Sequence, residues 1–168
     1  MSHLNVEIKA RCSHTDEVRR ILKERDAIFK GVDRQVDTYF RCSDGRLKLR
    51  EGEIEYALIH YDREDTAGPK RATVTLYHPE RGSSLKELLT QALGVRVVVE
   101  KTREIYFIDN VKFHIDTVQR LGSFVEIEAI DAAGEIGEEA LRRQCEAYMS
   151  LFDIRNSDLV TCSYCDLF

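Results

Sequence analysis

The stretch "LNVEIKARC", residues 4–12, sets Asn5, Glu7, Lys9 and Arg11 at every second position, opposite Leu4, Val6, Ile8 and Ala10. A period of two belongs to a β-strand with one polar and one apolar face. The same spacing of charge recurs along the chain. Arg46, Lys48 and Arg50 share a face in "GRLKLRE", Tyr61 and Arg63 in "YALIHYDR", and Lys101 and Arg103 in "EKTREI". Lys112, His114 and Asp116 share one in "VKFHIDTV", and Glu126 and Glu128 share one in "FVEIEAI". Two kinds of chemistry suit such residues. Lysine and arginine bind phosphate oxygens, the guanidinium as a planar fork. A carboxylate beside a phosphate chain repels it unless a cation lies between, and hard divalent cations take oxygen ligands.

Because the bases gather on some strands and the acids on others, the pattern predicts a basic wall and an acidic wall. Lys9, Lys48, Arg50, Arg63, Lys101 and Arg103 are the phosphate candidates, with His114 as a hydrogen-bond or phosphate contact. Glu7, Glu126 and Glu128 are the candidate ligands for Mg²⁺ or Mn²⁺, and Asp116, spaced i, i+2 from His114, is a further candidate ligand. Buried like charges repel strongly, so the six cations are expected to need a ligand that neutralises them. A triphosphate, with roughly four negative charges near neutral pH, meets that need.

Placing these faces on one cavity requires a particular frame. Helices are predicted at about 14–27, 84–93 and 138–152, each with an apolar stripe. Ser13 or Thr15 is the expected N-cap of the first, Ser84 and Glu87 have capping-box spacing in the second, and Gly94 fits its stop. Strands are predicted at 35–40, 45–51, 55–63, 70–78, 95–108, 111–118 and 123–130, which with the opening strand makes eight. Short connections imply antiparallel pairing. The expected fold is therefore α+β, with helices covering the apolar side. If the sheet closes into an eight-stranded antiparallel β-barrel, the charged side lines a polar interior and no edges remain. The alternative is an open sheet with a solvated charged face.

Size and composition are consistent with one domain over residues 1–168, 43% apolar and 33% charged. The net charge of −5 argues against nucleic-acid binding. No apolar run reaches the roughly 18 residues of a membrane span, and no signal peptide is visible, so a cytoplasmic setting without membrane attachment is expected. Five scattered cysteines then read as reduced thiols, and "CSYC" at 162–165 as small, partly buried residues near a terminal strand. The run "DREDTAGPKR", 62–71, reads as a solvated hairpin loop or a gate over the cavity mouth, and Tyr39, Tyr56, Tyr61 and Tyr106 are expected to pack. A homodimer is a reasonable expectation for a small enzyme.

Taken together, these segments resemble the CYTH or triphosphate-tunnel superfamily, and more closely its class IV adenylyl cyclase-like branch. The signature E-x-E-x-K stands here as Asn5, Glu7 and Lys9 in "NVEIKAR". "LKLRE", "VEKTREIYFI", "KFHIDTVQRLGSFVEIEA" and the closing "SYCDLF" are similar to the branch's later segments in order and spacing. The resemblance implies an eight-stranded tunnel that binds a triphosphate with Mg²⁺ or Mn²⁺, with Glu7, Lys9 and Glu126 as the catalytic set. Asn5 replaces the signature's first acid and brings an uncharged amide oxygen. Tyr61 stands on the third strand where relatives often carry a lysine, and Arg63 takes over that contact. Three readings follow: cyclisation of ATP to cyclic AMP and pyrophosphate, hydrolysis of an inorganic or organic triphosphate such as thiamine triphosphate, and a non-catalytic triphosphate- or polyphosphate-binding module.

Overall fold

The computed structural model describes residues 2–168. Eight strands close into an antiparallel barrel in the order β1-β5-β4-β3-β2-β6-β7-β8. In chain order they are β1 Ser2–Arg11, β2 Ile28–Phe40, β3 Arg46–Glu51, β4 Tyr56–Arg63, β5 Lys70–Tyr77, β6 Val95–Ile108, β7 Val111–Val118 and β8 Gly122–Asp131. The helices are α1 Thr15–Glu24, α2 Leu85–Leu93 and α3 Glu138–Leu151. β1 closes the barrel by pairing with β5 on one side and β8 on the other.

Alternation along the strands sorts the side chains into an outer apolar set and an inner polar set. Val6, Ile8 and Ala10 of β1, Val111, Phe113 and Ile115 of β7, and Val125, Ile127 and Ala129 of β8 point outward. Val18 and Leu22 of α1, Leu141 and Cys145 of α3, and Phe152 pack over them. Burial of this apolar surface, at about 25 cal/mol per Å², holds α1 and α3 on the β1–β8–β7 side. The alternate residues, including Glu7, Lys9, His114, Asp116 and Glu126, are left facing inward.

Several local expectations are corrected. β2 begins at Ile28, seven residues before the predicted start. Residues 28–34 lack clean alternation, and they become strand by pairing with β6 out to Phe107. α1 ends at Glu24 because Asp26 adopts φ +55 and turns the chain toward β2. Its N-cap is His14, with no side-chain cap bond; the ring Nε2 lies 2.9 Å from the Phe152 carbonyl oxygen instead. Ser84 does sit at the N-cap of α2, but its hydroxyl makes no cap bond, while Gly94 ends the helix at φ +77. The C-terminal cysteines are buried or half-buried against strand residues as expected, but their own segment is no strand: Tyr164–Asp166 forms a single 3₁₀ turn. The 62–71 run is a loop only over 64–69, and Lys70 is a buried strand residue.

The 3₁₀ turn blocks one end of the barrel. Tyr39, Val99, Val118 and Phe124 point inward there and pack on Val160, Tyr164 and Cys165. The segment is tied down by Val160 N–H donating to the Lys9 carbonyl (2.9 Å) and by Arg46 and Arg96 donating to Asp166 (3.1 and 2.6 Å). Lys70 donates to the Val160 and Thr161 carbonyls. A second inward device orders the β3–β4 turn. The fully buried Asp33 carboxylate accepts the backbone N–H groups of Glu53, Ile54 and Glu55 at 2.8, 3.1 and 3.0 Å.

Gly52 is required by that second device, since a Cβ there would lie 2.4 Å from Asp33 Oδ2. Gly52→Ala is therefore expected to lower stability by about 1–3 kcal/mol, read as a reduced urea midpoint. An unchanged midpoint would show that the Asp33 clasp does not constrain the turn.

Candidate active site

Inside the barrel is a cavity of about 400 Å³, lined by side chains from the strands together with Tyr164. Lys9, Lys48, Arg50, Arg63, Lys101, Arg103, His114, Glu7, Glu126 and Glu128 all contribute to its wall. Asp116, fully buried, lies behind Arg103 and is joined to it by two bonds of 2.7 Å.

The segregation into separate walls is corrected by the structure. Cations including Lys9, Lys48, Arg50, Arg63, Lys101, Arg103 and Lys112 are interleaved with carboxylates including Glu7, Asp37, Glu55, Asp116, Glu126 and Glu128. The cations are thus largely compensated by the protein itself, without a ligand. Asp37 is the centre of this network. It pairs with Lys48 (3.0 Å) and Lys101 (2.8 Å), and accepts Arg50 through both oxygens at 2.9 Å. Burial pushes the Asp37 carboxyl up, but Arg50, Lys101 and Lys48 outweigh it and hold it well below the usual range. Glu55, placed by the Asp33 turn, accepts Arg50 at 2.9 Å and also accepts Lys112, while Gln35 donates to both acids.

Asp37, Glu55, Lys112 and Tyr164 were not among the sequence candidates. Asp37 shares its face with Gln35 and Tyr39, so the i, i+2 charge pair that marked the other strands is missing. Glu55 belongs to a turn, where alternation says nothing. Tyr164 donates to Asp116 at 2.8 Å and offers its ring to Lys9 at 3.8 Å, contacts that only the folded C-terminal turn creates. Of the four tyrosines expected to pack, Tyr106 stacks on Phe29, Tyr39 packs in the plug cluster and Tyr61 against the β4–β5 apolar cluster; Tyr39, Tyr56 and Tyr61 also line the cavity.

Two inner groups differ in the protonation state they hold. Burial, with Arg103 and Lys112, lowers His114 to about 4, so it is neutral near pH 7; its Nε2 is buried with no hydrogen-bond partner. Glu128 is raised to about 7 by burial, with Glu7, Glu126 and Glu55 adding and Lys112 opposing. Glu126 is driven the other way. Burial raises it, but Lys9, a hydrogen bond from His114 and Arg103 hold it well below the usual range. Lys9 has no carboxylate or hydrogen-bond partner among the described residues, and burial lowers its pKa.

The acids suit a hard cation by donor chemistry. Glu7 and Glu128 face each other across β1 and β8, with Glu126 beside Lys9 in the same ladder. Asn5 donates its amide N–H to Glu128 and leaves Oδ1 buried without a partner, a free oxygen beside the carboxylates. The set is not preassembled, since Glu7 is bonded to Arg63 and Glu126 to Arg103. Among the described residues no three His, Cys, Asp or Glu side chains are already gathered as ligands. Asp116, also a candidate ligand, has both oxygens engaged by Arg103.

A closed eight-stranded antiparallel tunnel with charged inner walls and a plugged end is the class of protein that fold and site define. The CYTH domain profile matches residues 3–159, and the chain belongs to that family. A Methanocaldococcus jannaschii protein named "Putative adenylate cyclase" is 26% identical over 98% of both chains. A solved Vibrio parahaemolyticus structure described in the same words has a TM-score of 0.72 at 20% identity, covering 99% of this chain and 98% of that one. The RNA triphosphatase of Schizosaccharomyces pombe shares the fold at a TM-score of 0.53 and 13% identity, over 94% of this chain and 86% of its own. No helix of the described residues is long and apolar enough to cross a membrane.

Asp37→Asn keeps the shape but leaves Lys48, Arg50 and Lys101 without their shared anion. It is expected to cost about 3–5 kcal/mol in urea unfolding at pH 7. A loss below about 1 kcal/mol would mean that the three cations do not depend on Asp37.

The raised Glu128 carboxyl has an equally definite signature. Its stabilising contribution is complete below the ordinary carboxylate pKa and is lost as pH rises through about 7. Glu128→Gln should therefore stabilise the protein relative to the parent at pH 8 and much less at pH 5. A difference between the two that does not change across this window would contradict it, as would a carboxyl ¹³C titration of Glu128 with a midpoint near 4.

Proposed function

We propose that this protein is a metal-dependent enzyme that binds a triphosphate in its tunnel, and that its reaction is cyclisation of ATP to cyclic AMP and pyrophosphate. The observation that carries the reading is the convergence of Lys9, Lys48, Arg50, Arg63, Lys101 and Arg103 on one cavity of about 400 Å³ that also holds three carboxylates on β1 and β8. Family membership and the names of the M. jannaschii and V. parahaemolyticus proteins support it.

On this reading Lys9 and Arg63 take the leading end of the phosphate chain at the blocked end of the tunnel. Lys9 is uncommitted, and Arg63 exchanges Glu7 for phosphate oxygens. Arg50, Lys101 and Arg103 contact the chain as well, each keeping one protein carboxylate while offering further N–H groups. Mg²⁺ or Mn²⁺ is the cofactor the reading requires; Glu7, Glu126, Glu128 and Asn5 Oδ1 would hold it, and when bound it supplies positive charge to the phosphate oxygens. Glu126, held ionised by Lys9, His114 and Arg103, is already in the state a cation ligand requires. His114, neutral and with Nε2 free, can donate to or accept from the substrate.

Hydrolysis is the second reading. The neighbouring Glu126 and Glu128 on β8 favour it, since the same pair can orient a water at the terminal phosphorus. The S. pombe fold relative is named for hydrolysing a triphosphate, which supports the reading at the level of fold.

Incubation with ATP or inorganic triphosphate plus Mg²⁺ or Mn²⁺, followed by chromatography, separates the two readings. Cyclic AMP and pyrophosphate mark cyclisation; ADP and phosphate, or pyrophosphate and phosphate, mark hydrolysis. Glu126→Ala should remove metal-dependent turnover by at least about a hundredfold and leave metal-free triphosphate binding within about twofold. Lys9→Met should weaken triphosphate binding about tenfold with or without metal, and leave the fold intact because Glu126 keeps its bond from Arg103. Absence of product and of calorimetric triphosphate binding in the parent would end the reading.

A further inference from the structure

The inner wall is not charged all the way round. β1, β2, β3, β6, β7 and β8 each turn ionisable side chains inward, but the middle of β4 and β5 turns inward Ala57, Ile59, Ala72, Val74 and Leu76. These residues form an apolar cluster separate from the helix-backed core and from the plug, with Tyr61 and Leu76 packed at its margin. They face the cavity. A charged wall opposite an aliphatic wall across one cavity suits a ligand with a charged half and an uncharged half.

The plug fixes which half goes where. Lys9 lies over the Tyr164 ring at 3.8 Å, and Arg63 donates to Ser163 Oγ at 2.8 Å, so both cations sit at the blocked end. The open mouth is marked by Arg81, whose guanidinium lies 4.5 Å from the Tyr56 ring centroid and donates to the Gly52 and Glu53 carbonyls at 2.7 and 3.1 Å. Beside it Ile54 is 44% exposed. A ligand entering with its phosphates first places whatever is attached to them against the β4–β5 wall and the fixed Tyr56–Arg81 pair. Inorganic triphosphate has nothing to place there and leaves the apolar wall facing water.

Resting on the triphosphate reading, we infer that the β4–β5 wall of Ala57, Ile59, Val74 and Leu76, with Tyr56 and Arg81 at the mouth, is a subsite for the base and sugar of a nucleoside triphosphate. This subsite selects organic over inorganic triphosphate. Ring stacking on a fixed aromatic–guanidinium pair and burial of an uncharged ring against aliphatic carbon both add affinity that phosphate contacts do not supply.

The test is calorimetric binding of ATP and of inorganic triphosphate, with Mg²⁺ present, to the parent, to Leu76→Asn and to Val74→Thr. Leu76 is only half-buried and Val74→Thr conserves shape, so thermal melting is expected to show both variants folded. The expected result is ATP binding about tenfold or more tighter than inorganic triphosphate in the parent, with that preference reduced at least about threefold in the variants. Inorganic triphosphate affinity should stay the same in all three proteins. Equal affinities in the parent, or variants that weaken both ligands alike, would overturn the subsite while leaving triphosphate binding standing. Failure of the parent to bind either ligand would overturn the triphosphate reading and the subsite with it.

Discussion

Three buried cations, Lys48, Arg50 and Lys101, meet on one buried carboxylate, Asp37, and much of the tunnel depends on that meeting. Closing the barrel forces the polar faces of eight strands into a space cut off from bulk water, where an uncompensated charge is costly. β2 supplies the compensating anion from the strand next to β3 and β6, so each cation reaches it across a single ladder. The cost is visible in the lysines. Burial, with Arg50 beside it, brings Lys48 down to about 8 despite the Asp37 carboxylate. Asp37 thus occupies the position of an internal anion. The basic wall can fold without a ligand, yet each guanidinium and ammonium keeps donors to spare.

The outside of the barrel explains why the inside can be polar at all. Apolar burial is concentrated on the β1–β8–β7 flank beneath α1 and α3, and the plug adds a second apolar cluster at one end. The largest apolar cluster therefore lies on surfaces that face away from the cavity. The interior is free to carry groups that contribute little or negatively to folding, as sites built for binding commonly do. The plug also gives the tunnel a direction. With Tyr164 bonded to Asp116 and under Lys9, the far end is closed by groups that belong to the charged network.

The architecture was legible in the sequence because period two is a strong signal wherever charge and aliphatic residues alternate. "NVEIKAR", "KFHIDTV" and "FVEIEAI" place their inner and outer faces as read, and the eight strands close as expected. The pattern failed where a residue's role depends on partners distant in sequence. Asp37 stands as a single charge in "QVDTYF" and has no local mark of the three cations it holds, which come from β3 and β6. Residues 28–34 became strand through pairing with β6 rather than through their own alternation. Lys70 looked solvated among Asp, Glu, Gly and Pro neighbours, but the C-terminal carbonyls that bind it lie about ninety residues on. Ala57, Ile59, Ala72 and Val74 alternated correctly, but period two alone does not say that their side faces the cavity.

Charge balance links the inner acids to the proposed cofactor. The inner cations are mostly paired with inner carboxylates, so a triphosphate with about four negative charges brings more anion than the tunnel's spare cations offset. Two routes restore balance: protons or added cations. Glu128 already sits near the point of protonation, which supplies at most one charge. Divalent ions supply two each, at the acids the triphosphate would otherwise repel. On the proposed reading, Asn5 lessens this pull where a carboxylate would strengthen it, but its free Oδ1 preserves an oxygen donor at the same place. An uncharged group there also adds nothing to the repulsion that Glu7, Glu126 and Glu55 exert on Glu128, which burial already raises to about 7. On the proposed reading, a fourth acid at position 5 would bind a cation more strongly but leave the empty tunnel harder to fold, and the amide balances those two demands.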